Sequence, residues 1–244
     1  GKVLGGSSAI NGMVYVRGQP MDYDTWAQQG NRGWDFDTVK NYFRKLENFE
    51  RGDDGIRGEG GPIHVSECKD ESPLYDAWVA AGAEIGVPYN PDYNGANQEG
   101  MCKTQTTIRN GKRASAAAGY LRPAMKRSNL RVVAEVLVER VLLEGKRAVG
   151  VAYSANGQRM TARAGREIIL SAGAIKSPQV LELSGIGQAG RLRDLGITVN
   201  HDLWGVGENL RDHIAPRMKW KVTQKGVTYN GKVSGLGLGW QMLR

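Results

Sequence analysis

Cysteine, histidine and phenylalanine are scarce in this 244-residue sequence, with two, three and three residues. Cys68 and Cys102 form no CxxC and share no metal-ligand spacing. That excludes a disulfide-rich scaffold and a zinc site, and it suits two free thiols in a reducing compartment. No apolar run is long enough to span a bilayer, and no charged segment followed by an apolar stretch marks a leader. Gly1 stands first in place of a methionine, so we expect a segment internal to a longer protein. The expected location is the cytoplasm, or a membrane surface reached through the full-length protein. There is no repeat, no low-complexity tract and no Gly-x-Ser-x-Gly elbow, which argues against a solenoid and a serine hydrolase.

Glycine, by contrast, is abundant. Its 34 residues are about twice the usual share of roughly 7%. They fall in pairs and triplets without a period, which excludes collagen and indicates tight turns and close backbone approaches. The net charge of +8 is unevenly spread. Residues 1–100 hold nine basic and 16 acidic side chains, residues 101–150 hold 11 and three, and residues 151–244 hold 13 and six. No basic run exceeds two residues, so solvated faces account for most of the excess. A non-catalytic basic module that binds polyanions, including nucleic acid, is the rival reading; it predicts strong, salt-sensitive affinity.

Several elements are legible. Phe36, Val39, Tyr42, Phe43 and Leu46 recur at helical spacing, with Asp35 or Asp37 as the cap. Ser72, Pro73 and Gly86 delimit a second helix. Residues 114–127 read as a helix broken near Pro123. Residues 130–164 read as a run of strands, with turns at Glu144-Gly145-Lys146 and Asn156-Gly157. Glu167–Gly173 reads as a buried strand entering a glycine turn, followed by a helix over Ser177–Leu183 with Pro178 in its first turn.

Two constellations carry chemistry. The first is Gly1-Lys2-x-Leu4-Gly5-Gly6-Ser7-Ser8-x-Ile10-Asn11, continuing to Tyr15, Gly18 and Asp24. Paired glycines admit a planar or phosphorylated ligand to the backbone, and small hydroxyls at a helix start offer donors where anions are favoured. An ordinary capped turn explains the same residues. The second is Gly173-Ala174-x-x-Ser177-Pro178-x-Val180-Leu181-x-x-Ser184-Gly185-Ile186-Gly187. A strand ending in Gly-Ala before a helix start can seat a ligand at its carboxyl end, or it can be a plain small-residue corner.

Taken together, the two resemble both diagnostic signatures of the glucose–methanol–choline oxidoreductases. Between them Gly33-Trp34, Asp92-Tyr93-Asn94-Gly95, Arg113-x-Ser115 and Tyr120-Leu121 fit the same family, as does Gly205-Val206-Gly207. The resemblance is closest to choline-dehydrogenase-like members. It implies an α/β (α+β) fold: a flavin domain with a mostly parallel sheet and a substrate domain with an antiparallel sheet, incomplete at both ends. Residues 1–60 and 128–210 would belong to the flavin side and residues 61–127 to the substrate side. Residues 211–244, with Met218, Trp220 and Val222 alternating, would begin a substrate-domain sheet.

The resemblance further implies an FAD-dependent oxidation of an alcohol CH–OH group, with FAD held non-covalently because Ile10 cannot form a covalent link. Val3, Gly5, Gly6, Ser7, Ser8, Asn11, Gly12, Met13 and Val14 would lie along the cofactor, with Asn11 to Val14 near the isoalloxazine. Val138 would meet the adenine, and Ala172, Gly173 and Ala174 the adenosine half. The catalytic residue is expected beyond Arg244, so His64, His201 and His213 are expected to be structural. The expected partners are a small-molecule alcohol and an electron acceptor (oxygen, quinone or dye), with no metal and no nucleic acid. Gly185-Ile186-Gly187-Gln188-Ala189-Gly190 spells GxGxxG, but no crossover helix of the required length follows it, so it is not read as a dinucleotide site.

Overall fold

The computed structural model describes residues 1–216, 218–224, 226–231 and 233. It divides into two compact units: Gly1–Arg131 with the described residues from Trp220 onward, and Val132–Lys219.

The first unit opens with a 3₁₀ turn, Gly6–Ala9. Helix α1 (Pro20–Gln28) begins with Pro20 in its first turn, where its missing N–H costs nothing, and the Asp22 carboxylate accepts from Gln19 N–H at 2.8 Å. Helix α2 (Phe36–Leu46) is capped by Asp35, whose carboxylate accepts from Thr38 N–H at 2.9 Å. Asp37, the other candidate, lies in the first turn. Between the two helices Tyr23 packs edge-on to Trp26 and Phe43, and Trp26 packs edge-on to Trp34.

Strand β1 (Glu47–Phe49) leaves α2 and pairs in parallel with β2 (Ile63–Val65). Helix α3 (Pro73–Glu84) follows the expected plan: Ser72 caps it, Pro73 opens it, and Gly86 follows at φ 80°. Strands β3 (Ile108–Arg109) and β4 (Lys112–Arg113) form a short hairpin around Asn110-Gly111, both at positive φ. The helix expected over 114–127 is shorter. It is a π-helical turn (Ala117–Leu121) running into α4 (Arg122–Ala124).

The centre of this unit is ionic. Glu47, Arg57 and Gln105 are almost fully buried. The Glu47 carboxylate accepts from Arg17 Nη2, from Arg57 Nη2 at 2.6 Å and from Gly58 N–H at 2.9 Å. Arg57 Nη1 reaches Asp92 at 2.5 Å and Gln105 Oε1 at 3.0 Å, and the Arg57 Cζ lies 3.6 Å from the Phe49 ring centroid. Two cations thus face two carboxylates, which is how a charged group persists out of water. Asn94 extends the network to Tyr15 O and Arg17 N–H, anchoring the exit of the first motif.

The second unit is built on an antiparallel meander of β5 (Val136–Glu144), β6 (Arg147–Ala155) and β7 (Gln158–Arg163). Both turns fall where the sequence places them, the second at Asn156-Gly157 with φ of 49° and 76°. Helix α5 (Gly173–Leu183) lies on β5, where Ser184 Oγ accepts from Val141 N–H at 2.8 Å and donates to Val180 O at 2.5 Å. Strand β8 (Ile186–Gly187) pairs in parallel with β9 (His201–Asp202) across a six-residue helix α6 (Ala189–Asp194).

Three expectations are corrected. Glu167–Leu170 is not a strand: no described residue pairs with its backbone, and Ile169 is 80% exposed. Helix α5 begins at Gly173 rather than Ser177 and carries Pro178 inside it. Met218, Trp220 and Val222 form no strand, and residues 234–244 lie outside the described residues. Among the described residues, parallel pairing is limited to β1–β2, β8–β9 and one isolated bridge between Tyr89 and Met101. An apolar run becomes a strand only when a neighbour supplies its backbone partners, and periodicity does not report that neighbour.

Candidate functional site

The first motif folds into a compact loop seated on the segment from Arg113 to Ala117. Gly6 N–H donates to Val3 O at 2.9 Å, and Asn11 N–H to Ser7 O at 2.8 Å. Ser8 Oγ donates to Gly5 O at 2.6 Å and accepts from Ala116 N–H at 2.9 Å. A Cβ on Gly5 would stand 3.0 Å from the Ala117 methyl, so this side of the loop is packed. The other side is open. Nothing lies within 4 Å of a Cβ built on Gly6 or Gly12, and Val3, Ile10 and Val14 are about half or more exposed.

The loop then makes a strained turn. Met13 adopts φ 63°, a left-handed conformation that costs a non-glycine residue about 1–2 kcal/mol. Two contacts hold it there: Asn11 Oδ1 accepts from Met13 N–H at 3.1 Å, and Met13 O accepts from Thr107 N–H at 2.8 Å. Val14 bridges Thr106, and Tyr15 N–H donates to Gln105 O at 3.0 Å. Strain that is held in place by its surroundings in this way is a feature of functional loops, although Asn110 and Asn156 adopt positive φ in plain hairpin turns.

In the second unit Val138 precedes a bulge in β5, where the register shifts before Arg140, and its side chain is 37% exposed. Ala172 caps α5, and its N–H donates to Ser177 Oγ at 3.0 Å. Gly173 has φ 89° and nothing within 4 Å of a built Cβ. The residues from Ala172 to Ala174 are exposed. Each unit therefore presents its share of the expected positions on an open surface.

The GxGxxG run at Gly185–Gly190 is closed. The first N–H of α6, on Ala189, is taken by Asp202 Oδ1 at 3.0 Å, so a carboxylate already occupies the place a phosphate would need. The histidines are dispersed. His64 Nδ1 lies 3.3 Å from Asn48 Nδ2, a donor, so that nitrogen is the acceptor of a neutral ring. Burial, with the Arg109 charge beside it, holds the His64 imidazole below its ordinary 6.5. His201 and His213 are exposed. Among the described residues no group of His, Cys, Asp or Glu could hold a metal ion, and no helix is long and apolar enough to cross a membrane.

Arg113 and Thr107 are the residues the sequence did not single out as part of this loop. Arg113 stood only within a family-like Arg-x-Ser pattern, and Thr107 carried no local signal.

The GMC oxidoreductase family model matches residues 1–215, and the chain belongs to that family. It is 48% identical over 230 residues to an oxygen-dependent choline dehydrogenase of Brucella anthropi, covering 94% of this chain and 42% of that enzyme. The mitochondrial choline dehydrogenase of Homo sapiens is 52% identical over 214 residues, covering 88% and 36%. Among solved structures, an FAD-dependent oxidoreductase from Chaetomium thermophilum superposes with a TM-score of 0.79 at 34% identity, covering 84% of this chain and 38% of that one. A formate oxidase from Aspergillus oryzae RIB40 gives 0.79 at 30% identity, covering 87% and 38%. The chain thus spans about two fifths of the length of the relatives it matches.

Proposed function

We propose that the protein carrying this chain is an FAD-dependent oxidoreductase that oxidises the CH–OH group of a small alcohol. The observation that carries this reading is the first motif's loop. It is pinned on one face by Arg113, Ala116 and Ala117, and it presents bare glycine backbone, the Asn11 amide and apolar Val14 on the other. A planar, hydrogen-bonding ring needs such a surface: close backbone, flat apolar contact and a few fixed donors. When bound, FAD supplies the hydride acceptor.

The residues of this chain then bind and orient. Val3, Gly5, Gly6, Ser7 and Ser8 form the loop's entry, and Asn11, Gly12, Met13 and Val14 face the ring. Val138 and the Ala172–Ala174 corner serve the adenosine half. Residues 1–60 and 128–210 make up the flavin side, and residues 61–127 the substrate side. Ile10 offers no nucleophile, so the cofactor is held non-covalently. None of the three histidines is assigned as the base, since His64 accepts from Asn48 and the others face solvent. The choline dehydrogenase relatives point to a small amino alcohol as the first substrate to try, with oxygen, quinone and dye compared as acceptors.

The test is acid precipitation of the purified full-length protein, followed by an alcohol panel in a dye-reduction assay. Yellow flavin released into the supernatant, with turnover of at least one alcohol, is the expected result. A colourless protein that takes up no FAD refutes the reading, and colour confined to the pellet refutes non-covalent attachment.

A further inference from the structure

Asn11 carries one side-chain amide, and its surroundings determine which end faces which way. Its Oδ1 accepts from Met13 N–H at 3.1 Å and from Arg113 Nη1 at 2.8 Å. A backbone amide and a guanidinium only donate, so the atom they share has to be the oxygen. The same Arg113 nitrogen donates to Asn11 main-chain O at 2.7 Å and lies 3.3 Å from Ser8 O. One guanidinium nitrogen therefore holds both the side-chain and the main-chain carbonyl of a single residue. With Oδ1 turned inward, the Asn11 Nδ2 group points away from Arg113. Its two N–H bonds have no acceptor among the described residues, and Asn11 is exposed.

We propose that Arg113 is a positioning residue: it locks the Asn11 amide with both donors directed at the acceptor-bearing edge of the flavin ring. This rests on the FAD reading above. Asparagine suits the role because a free amide can turn over and exchange its donor and acceptor ends. With Arg113 in place the turned form would set an NH₂ group against a guanidinium and the Met13 N–H, donor against donor. The arrangement is thereby prepared before the cofactor arrives, and the ordering of one side chain does not count against binding. Arg113 reaches the loop from β4, at the end of a hairpin, so the clamp is carried by regular structure rather than by another loop.

The experiment is a double-mutant cycle in the full-length protein, read by FAD affinity, by the visible spectrum of the bound flavin and by the thermal midpoint. Arg113→Met and Asn11→Ala are each expected to weaken FAD binding by about tenfold, the scale of one net hydrogen bond. The double variant should be no weaker than the worse single, because Arg113 acts through Asn11. Asn11→Asp keeps an oxygen for Arg113 and Met13 but replaces the two donors with a carboxylate oxygen. It should lose affinity as Asn11→Ala does while melting like the parent. Arg113→Lys, a compact charge that meets one acceptor at a time, should fall between parent and Arg113→Met, and it serves as the clamp variant if the methionine protein does not fold. Losses that multiply to about a hundredfold in the double variant overturn the proposal, as does parental affinity and spectrum in Arg113→Met or Asn11→Asp. A parent that binds no FAD overturns the cofactor reading as well, whereas a parent that binds FAD with a failed cycle overturns this proposal alone.

Discussion

Replacing Glu47 by glutamine would leave two buried guanidinium groups with one carboxylate between them. In the native unit the charges of Arg17 and Arg57 are balanced by Glu47 and Asp92, and of the four only Asp92 retains appreciable side-chain exposure, at 15%. Glutamine has nearly the volume of glutamate and keeps one acceptor oxygen. Its NH₂ group, however, would face Arg57 or the Gly58 N–H, both donors. One cationic charge would then remain uncompensated out of water. Breaking a buried pair by removing one partner typically costs about 3–5 kcal/mol, because the surviving charge keeps its desolvation penalty. At roughly 2–4 °C per kcal/mol for a chain of this size, the thermal midpoint should fall by at least about 6 °C. Urea unfolding with parental slope would show that stability rather than compactness has changed. The exposed Arg163–Glu144 pair is the control: Glu144→Gln should move the midpoint by under about 2 °C, since solvated pairs contribute little. A Glu47→Gln loss below about 1 kcal/mol would refute the reasoning, because the cluster would then behave like solvated surface charge.

Other outcomes follow from the same contacts. Among the described residues the buried Tyr15 hydroxyl has no hydrogen-bond partner, and burial followed by the Glu47 charge raises it above its ordinary 10.0, against the lowering influence of the Arg17 guanidinium. Tyr15→Phe should therefore be neutral or stabilising within about 1 kcal/mol by urea unfolding, and a loss above about 2 kcal/mol would show that the hydroxyl is satisfied after all. Gly6→Ala and Gly173→Ala meet no steric obstacle but sit at φ of 56° and 89°. Each should cost about 1 kcal/mol in the melt, with any flavin loss beyond that assigned to the cofactor face. Acidification should destabilise the first unit. Burial pushes the Glu50 and Asp54 carboxyls up, but hydrogen bonds from Lys69 and Glu67 N–H to the first, and from Arg57 and Ile56 N–H to the second, outweigh it and leave both lowered. Groups with lowered folded pKa values contribute stability above their ordinary 4.5 and 3.8, and that stability is lost as pH falls through the folded values. A midpoint that does not fall between pH 5 and about 3 would contradict this.

Much of this protein was legible in its sequence because the interactions concerned are short. Asp35 and Ser72 cap helices by reaching three and two residues along the chain. Asn156-Gly157 closes a hairpin because both residues accept positive φ. The two motifs identified a family because each is a contiguous run of residues, legible without the fold. What the tertiary structure alone decided is non-local. Glu167–Leu170 has the composition of a buried strand, yet none of its residues is buried, since a strand is defined by a neighbour that composition does not name. Glu47 and Arg57 carry no local signal, and Asp92 stands only in the Asp92-Tyr93-Asn94-Gly95 pattern, until the fold closes the three into one network. Arg113 meets Asn11 across 102 residues of chain, and only that meeting orients the amide. Local propensity acts over a turn or two, whereas the placement of a charge or a donor depends on which distant segment arrives beside it, and that is settled by the packing of the whole unit.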